Sequence, residues 1–188
     1  MKRIFGIGCA VAVALLGASI ASAQSAPGVH VGVAAGPGAP VSDTRDTHET
    51  GFNGSAFVNW TPTVSPLGLR VEGMYQNMGI ESEFTPNDDA NTEILAGLAG
   101  AVIAPKNGTV KPYGVAGGGV YNVDIDAAGV PGTSGGNNTE FGWNAGGGLA
   151  FPIGQTNIFV EARYHSINND GDNAERIKLV PVTVGIVF

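Results

Sequence analysis

Cysteine and charge are scarce in this chain, and each shortage narrows the classes of protein to which it can belong. The single cysteine is Cys9, within an N-terminal apolar run, so the rest of the chain cannot be held together by disulfides. Charged residues make up 13% of the sequence, too few for an ordinary water-facing surface. The formal net charge of −7 argues against binding nucleic acid by bulk attraction.

Motifs that carry chemistry are also missing. The sequence contains no nucleophile elbow, no His/Cys spacing typical of a metal site and no phosphate-binding loop. Acidic residues cluster in four polar segments, where solvated loop charges are favoured over the alternative of weak Ca²⁺ sites: Asp43 and Asp46, Asp88 and Asp89, Asp124 and Asp126, Asp170 and Asp172. We therefore expect no enzyme activity, no cofactor and no bound metal.

The first 23 residues have the features of a cleaved secretory signal peptide. Lys2 and Arg3 precede an apolar run from Ile4 to Ile20, and small residues follow at 21–23. The alternative, an uncleaved membrane anchor, is disfavoured because the run is short for a span and ends at a cleavage-type site. Cleavage leaves residues 24–188, whose 165 residues fit one domain and carry a formal charge of −9 once Lys2 and Arg3 are removed.

After the signal peptide, the sequence shows the period-two alternation of β-strands, interrupted by turn residues. Glycine is abundant, with 30 residues, and no helical pattern appears. The alternation predicts eight strands: Val29–Gly36, Gly51–Trp60, Gly68–Met78, Thr92–Ala104, Val110–Val123, Thr139–Phe151, Ile158–Ile167 and Ile177–Phe188. Their connections alternate between short turns and longer loops rich in Asp, Asn, Thr and Gly, as in transmembrane barrels. The predicted fold is a single eight-stranded antiparallel transmembrane β-barrel.

The last predicted strand has a regular apolar face that ends in an aromatic residue. Counting back from the C-terminus in steps of two gives Phe188, Ile186, Val184, Val182 and Val180. An apolar face that ends in a terminal aromatic residue resembles the C-terminal insertion signature of outer-membrane barrels. We expect the barrel-insertion machinery to recognise this strand.

In every strand, alternation separates an apolar face from a face of glycine and ionisable residues. We predict that the apolar face contacts lipid, and in the fourth and fifth strands this face comprises Ile94, Ala96, Leu98, Val102, Tyr113, Val115 and Tyr121. The opposite face, with Gly97, Gly114 and Gly118 among its small residues, would then fill the narrow interior of an eight-stranded barrel. A soluble sandwich is the alternative, but its water-facing surface would hold more Lys and Glu.

Two groups of residues follow from these faces. Aromatic residues near the strand ends are predicted at the membrane interfaces: Phe52, Trp60, Tyr75, Tyr113, Tyr121, Phe141, Phe151, Tyr164 and Phe188. Ionisable residues on the inner face are predicted to form a polar network that plugs the lumen: Arg70, Glu72, Glu93, Glu161 and Arg163, with His30 or His165. The alternative, a gated polar path, is disfavoured because an eight-stranded interior is narrow.

The chain resembles the family of outer-membrane β-barrel domains related to OmpA and OmpX. The resemblance covers the whole sequence after the signal peptide, and its carriers are Lys111–Val123, Phe141–Gly154, Phe159–Ile167 and Leu179–Phe188. It implies an integral protein of the bacterial outer membrane, in contact with lipid and lipopolysaccharide, without an enzymatic role. Members of the family act as structural proteins, adhesins, immune-evasion factors or narrow pores. We therefore expect either a structural role or a surface role with an extracellular ligand at the loops, and keep a small-solute channel as the alternative.

The segment Arg163–Asn169 also resembles the His-x-Ser-Asn region of outer-membrane lipid A deacylases, in which Ser is the nucleophile and His its base. Here His165 and Ser166 are adjacent, so on a strand they face opposite sides and cannot share a proton. Lipid A hydrolysis is therefore the least favoured alternative.

Overall fold

The computed structural model describes residues 28–41, 50–79, 91–105, 108–126, 137–168 and 176–188. They form eight antiparallel strands, each paired with its neighbours in sequence, and the last pairs with the first to close a barrel. The strands are β1 (Val29–Pro40), β2 (Gly51–Trp60), β3 (Leu67–Gly79), β4 (Asn91–Ile103), β5 (Lys111–Asp126), β6 (Asn137–Ile153), β7 (Thr156–Ile167) and β8 (Ile177–Val187). Among these residues no helix is long and apolar enough to cross a membrane. The predicted signal peptide lies outside the described residues.

All eight predicted strands are present, and their ends differ from the prediction by a few residues. The largest difference is in β1, which continues to Pro40 instead of ending at Gly36. β5 continues to Asp126, three residues beyond its predicted end. Turn-type residues such as Pro37 and Gly38 therefore do not end a strand here, because both still pair with β2.

The closing seam between β1 and β8 includes the C-terminal residue. The Phe188 amide donates to the Val31 carbonyl at 2.8 Å, and the Val31 amide donates to the Phe188 carbonyl at 3.3 Å. Further along the seam, Ala35 pairs with Val184 and Pro40 with Leu179. Because the sheet has no free edge at this seam, its backbone groups are satisfied within the protein, as a hydrocarbon environment requires.

The two ends of the barrel differ in their connections. At one end, called the short-turn end, the links between β2 and β3, β4 and β5, and β6 and β7 are short, with Gly154 at a φ of 63° in the tightest. At the other, the long-loop end, much of each connection lies outside the described residues, at 42–49, 80–90, 127–136 and 169–175. The first strand begins at the short-turn end, and the last strand ends there.

Large apolar side chains cover the outer surface of the strands, while the charged side chains in the middle of β3 and β7 lie inside. Val71 is 65% exposed, Phe141 69% and Val184 56%, whereas Arg70 and Glu161 are each 5% exposed. A protein dissolved in water shows the reverse distribution. The outer face is therefore suited to contact lipid.

The predicted faces of β4 and β5 were wrong, because in these two strands the structure reverses them. Ile94, Leu98 and Tyr121 are buried inside the barrel, while Leu95 and Val120 are exposed outside. Both faces of β4 are apolar, and the face of β5 opposite its tyrosines carries only small or apolar residues from Gly114 to Val120, so alternation of polarity does not distinguish inside from outside there. The reversal also places Ala96 and Val115 inside, and Gly97, Gly114 and Gly118 on the outer face.

Candidate functional site: a charge cluster in the lumen

Four charged residues from two opposite strands meet inside the barrel and form what we call the charge cluster: Arg70, Glu72, Glu161 and Arg163. The first two lie on β3 and the last two on β7, which are four strands apart in a closed ring of eight. Alternation turns all four inward, and each is at most 6% exposed. Contacts between them therefore cross the lumen.

Each arginine pairs with a glutamate on the opposite strand. Arg70 Nη1 donates to Glu161 Oε2 at 2.8 Å, and Arg163 Nη1 donates to Glu72 Oε2 at 2.8 Å. Within β7, Arg163 Nη2 also donates to Glu161 Oε1. Within β3, Arg70 Nη1 lies 3.9 Å from Glu72 Oε2. Two positive and two negative charges thus neutralise one another, which buried ions require.

Neighbouring polar and aromatic groups make further contacts with the cluster. The Tyr113 hydroxyl donates to Glu161 Oε2 at 2.8 Å, and Arg70 Nε donates to Asn59 Oδ1 at 2.8 Å. The Arg70 guanidinium carbon lies 4.0 Å from the centre of the Phe57 ring, within the range of a cation–π contact. The cluster is thereby held from β2, β3, β5 and β7.

On the short-turn side of the cluster, three aromatic rings fill the lumen. Phe57 and Phe159 pack edge to face with centroids 5.7 Å apart, and Tyr113 packs edge to face on Phe159 at 6.4 Å. Each ring lies over an inward-facing glycine directly opposite on the neighbouring strand: Phe57 over Gly32, Tyr113 over Gly148 and Phe159 over Gly185. A Cβ at any of these glycines would collide with the ring, so glycine makes the space that the aromatic residues occupy.

On the long-loop side of the cluster, the lumen is mainly apolar. The buried residues there form one packed group: Met74, Met78, Ile94, Ala96, Leu98, Tyr121, Val123, Ile167 and Leu179. The Tyr121 hydroxyl and His165 Nδ1, 3.0 Å apart, form a buried polar contact within this region. Nearby, Asn53 Nδ2 donates to Gln76 Oε1 at 3.0 Å. The interior thus has three layers, with aromatic, charged and apolar side chains in turn.

A small cavity of about 10 Å³ adjoins the charge cluster, lined by Arg70, Glu72, Leu98, Ala99, Gly100, Val115, Asn144 and Arg163. This volume is about that of one water molecule. The cavity is too small for an organic ligand.

The structure brings together only some of the residues predicted in the lumen network. Arg70, Glu72, Glu161 and Arg163 meet as described, and His165 is buried close by, 1% exposed. Glu93 was predicted wrongly: it is exposed and shares the outer face of β4 with Leu95. His30 does not join the network either, because it is the second residue of β1 and is exposed at the short-turn end.

Most of the predicted interface aromatics face outward, but two do not. Tyr113 and Tyr121 lie in the lumen, where Tyr113 bonds to Glu161 and Tyr121 to His165. The predicted positions were wrong because both residues lie on β5, where the two faces are reversed. The remainder are partly or largely exposed on the outer face: Phe52, Trp60, Tyr75, Phe141, Phe151, Tyr164 and Phe188. Trp143 and Tyr164 contact each other there, with ring centroids 5.4 Å apart.

Sequence reasoning missed the inward aromatic residues Phe57 and Phe159. Both belong to strands whose inner face also carries polar residues, so polarity gave no reason to single them out. The feature that marks them as inward is side-chain size, because each large ring pairs directly with a glycine on the neighbouring strand. That signal is readable only once the register between strands is known.

His165 and Ser166 lie on opposite faces of β7. His165 points into the lumen toward Tyr121, while Ser166 pairs directly with Trp143, an outward-facing residue. This arrangement does not allow His165 to act as a base for Ser166.

The acidic segments that offer the alternative of weak Ca²⁺ sites are covered only in small part by the described residues. In the part of the chain that is described, no group of three or more His, Cys, Asp or Glu side chains is positioned to hold a metal ion. Apart from Asp124 and Asp126, the acidic residues of the four polar segments lie outside the described ranges.

The alternate apolar residues of β8 are on the outer face. Val182 is 42% and Val184 56% exposed, and Val180, Ile186 and Phe188 share their side of the strand. Recognition of this strand by insertion machinery stays a prediction.

Comparisons with known proteins agree with this architecture. The model of a family described as "Outer membrane protein beta-barrel domain" matches residues 9–188. Among solved structures, Neisserial surface protein A is similar with a TM-score of 0.65 and 16% identity, over 85% of this chain and 96% of the other. Ail, the attachment invasion locus protein of Yersinia pestis, has a TM-score of 0.52 and 15% identity, over 85% and 97%. A major outer membrane protein from Thermus thermophilus has a TM-score of 0.54 and 9% identity, over 85% and 98%. No curated protein sequence matched the chain.

Proposed function

Because the chain belongs to the outer membrane protein β-barrel domain family, we propose that it is a non-enzymatic integral protein of the bacterial outer membrane. Its barrel carries a structural or surface-interaction role, and its lumen is closed to solutes. Export through a cleaved signal peptide at residues 1–23 belongs to the same proposal.

The observation that carries the proposal is the bridging of the lumen by the charge cluster. Its two cross-lumen pairs join strands on opposite sides of the barrel, each at 2.8 Å. The aromatic layer lies on one side of these pairs and the apolar layer on the other. A solute crossing the barrel would have to displace all three layers, and buried ion pairs are costly to break.

Planar-bilayer recording of the refolded protein tests whether the lumen is closed. We expect no steady conductance from the wild type and a reproducible small conductance when one buried side chain of each layer is truncated together, by Phe159→Ala, Arg70→Ala and Leu98→Ala. A matched control, Leu69→Ala with Val71→Ala, changes two outward residues of β3 and should stay silent. Steady conductance of the wild type would overturn the closed-lumen proposal and favour a small-solute channel.

The barrel itself is tested by gel mobility before and after boiling, because closed barrels resist unfolding by detergent until heated.

A structural role and a surface role are distinguished by complementation of cells that lack the native gene. If the barrel supports the envelope, a variant with residues 127–136 replaced by a short turn restores detergent resistance as well as the full chain does. If the loops bind a partner, the shortened variant does not restore detergent resistance, although it still reaches the outer membrane.

Mass analysis of lipid A tests the absence of enzyme activity. Overexpression should leave the lipid A mass unchanged, because His165 and Ser166 face opposite sides of β7. A mass change that disappears in Ser166→Ala would refute the non-enzymatic proposal.

A further inference from the structure

We propose that the charge cluster also selects the register in which the barrel closes. The register is the alignment of β1 with β8 at the seam, where Ala35 pairs with Val184. This inference goes beyond a closed lumen, since it concerns which closed barrel forms rather than what can pass through it.

The order of charges on β3 and β7 is inverted. β3 reads Arg70-Val71-Glu72 and β7 reads Glu161-Ala162-Arg163. Alternate strands of an antiparallel barrel run in the same direction, so β3 and β7 both run from the short-turn end to the long-loop end. At the level nearer the short-turn end, Arg70 pairs with Glu161 at 2.8 Å. At the level nearer the long-loop end, Glu72 pairs with Arg163, also at 2.8 Å. Had the two strands carried the same order, like charges would face each other at both levels.

The seam itself does not specify one register by its apolar pattern. A slip of two residues keeps every side chain on its original face, so alternation does not oppose it. On the outer face the slip exchanges one valine for another, because β8 presents Val180, Val182 and Val184 in succession and β1 presents Val31 and Val33. The outer face of the seam therefore does not distinguish the native alignment.

The cross-lumen pairs supply that distinction. A slip at the seam changes the tilt of the strands and so moves β3 along the barrel axis relative to β7. The two charge levels are separated by two residues, roughly 6–7 Å, so a shift of one residue lengthens both close pairs. The displaced charges are buried and keep only the partner on their own strand, with no bulk water to replace the one across the lumen. Buried polar and charged groups have this register-setting use in other systems.

Cysteine cross-linking reports the register directly, because the sequence has no cysteine after Cys9. Ala35→Cys with Val184→Cys places two thiols opposite each other in the native register. Ala35→Cys with Val182→Cys, or with Ile186→Cys, brings thiols opposite only after a two-residue slip in one direction or the other. All of these positions lie on the outer face, so the reporters leave the lumen unchanged.

The charge order is then altered without changing composition. Glu161→Arg with Arg163→Glu gives both strands the same order, and the native cross-link should fall by at least roughly tenfold, with slipped cross-links appearing. Adding Arg70→Glu with Glu72→Arg restores opposite charges at both levels, and native cross-linking should return.

Two outcomes overturn the inference. One is closure of the β7 swap in the native register at the wild-type yield. The other outcome concerns a β7 swap that does not fold. In that case the four-residue swap decides: if folding is not recovered, the inference is overturned, and if folding is recovered, the inference is supported. Conductance has no part in these outcomes, so they are independent of whether the lumen is closed.

Discussion

Two glutamates that sequence reasoning placed together in the lumen provide a matched pair for measuring the charge cluster. Glu72 lies in the cluster, 6% exposed, whereas Glu93 is exposed on the outer face of β4. Replacing each by glutamine removes one negative charge with little change in shape. We predict that Glu72→Gln strongly destabilises the barrel and that Glu93→Gln leaves it nearly unchanged.

The magnitude follows from the contacts that each carboxylate makes. Glu72 accepts from Arg163 at 2.8 Å and lies 3.9 Å from Arg70, so its loss leaves two arginines sharing one carboxylate. At an effective dielectric constant near 20, the attraction at 2.8 Å is about 6 kcal/mol before desolvation is counted. Removing one partner of a buried pair typically costs about 3–5 kcal/mol. Because the glutamine oxygen can still accept from Arg163, we expect about 3 kcal/mol, against less than about 0.5 kcal/mol for Glu93→Gln at the surface.

Urea unfolding in lipid vesicles measures both variants. The two tryptophans, Trp60 and Trp143, face outward and are each 48% exposed, so their fluorescence reports departure from lipid. Heat-dependent gel mobility checks that each variant starts as a closed barrel. A free energy of unfolding for Glu72→Gln within about 1 kcal/mol of that for Glu93→Gln would refute the assignment of a stabilising role to the charge cluster.

Two further predictions test the packing inside the lumen and the reversed faces. Gly32→Ala should destabilise the barrel, because its Cβ would collide with the Phe57 ring, and Phe57→Leu should recover part of the loss; Gly73→Ala, which has nothing within 4 Å, is the control and should be neutral in the same unfolding assay. A fluorophore on Leu95→Cys should be quenched by spin-labelled lipid, whereas Ile94→Cys should resist labelling in the folded barrel because it is buried. Efficient labelling and quenching at 94, without them at 95, would restore the original assignment of faces.

Strand positions were predictable because turn-forming residues and the alternation of apolar and polar residues are both properties of short stretches of sequence. Each predicted strand overlaps an observed one over most of its length, including the two whose predicted ranges contain a proline, Pro112 and Pro181. The four charges of the cluster were also assigned to the interior, from alternation together with the small residues beside them and the low charge content of the sequence. What alternation could not supply was which of them meet, since those contacts depend on the closure of the whole ring.

The inner face of β4 could not be predicted because polarity hardly varies across that strand. Ile94 and Leu95 are adjacent and equally apolar, yet one is buried and the other is 59% exposed. The only charge in the strand, Glu93, therefore decided the prediction. It is the third residue of β4, at the long-loop end, where an outward carboxylate can reach the membrane surface and its water.

For predicting the inner face, the distance of a charge from the ends of its strand thus matters as much as its place in the odd–even alternation. The charges assigned correctly lie well inside their strands: Arg70 and Glu72 are the fourth and sixth residues of β3, and Glu161 and Arg163 the sixth and eighth of β7. At that depth an outward charge would sit in hydrocarbon, at a cost of about 2–4 kcal/mol for a cation at the midplane, so it must point inward. Near a strand end that cost falls to about 0–1 kcal/mol, and either direction is tolerated. The outer face must be apolar, but the narrow interior accepts any side chains that fill it, including the tyrosines of β5. A charge in the middle of a strand is therefore the clearest mark of the inner face in a barrel of this size.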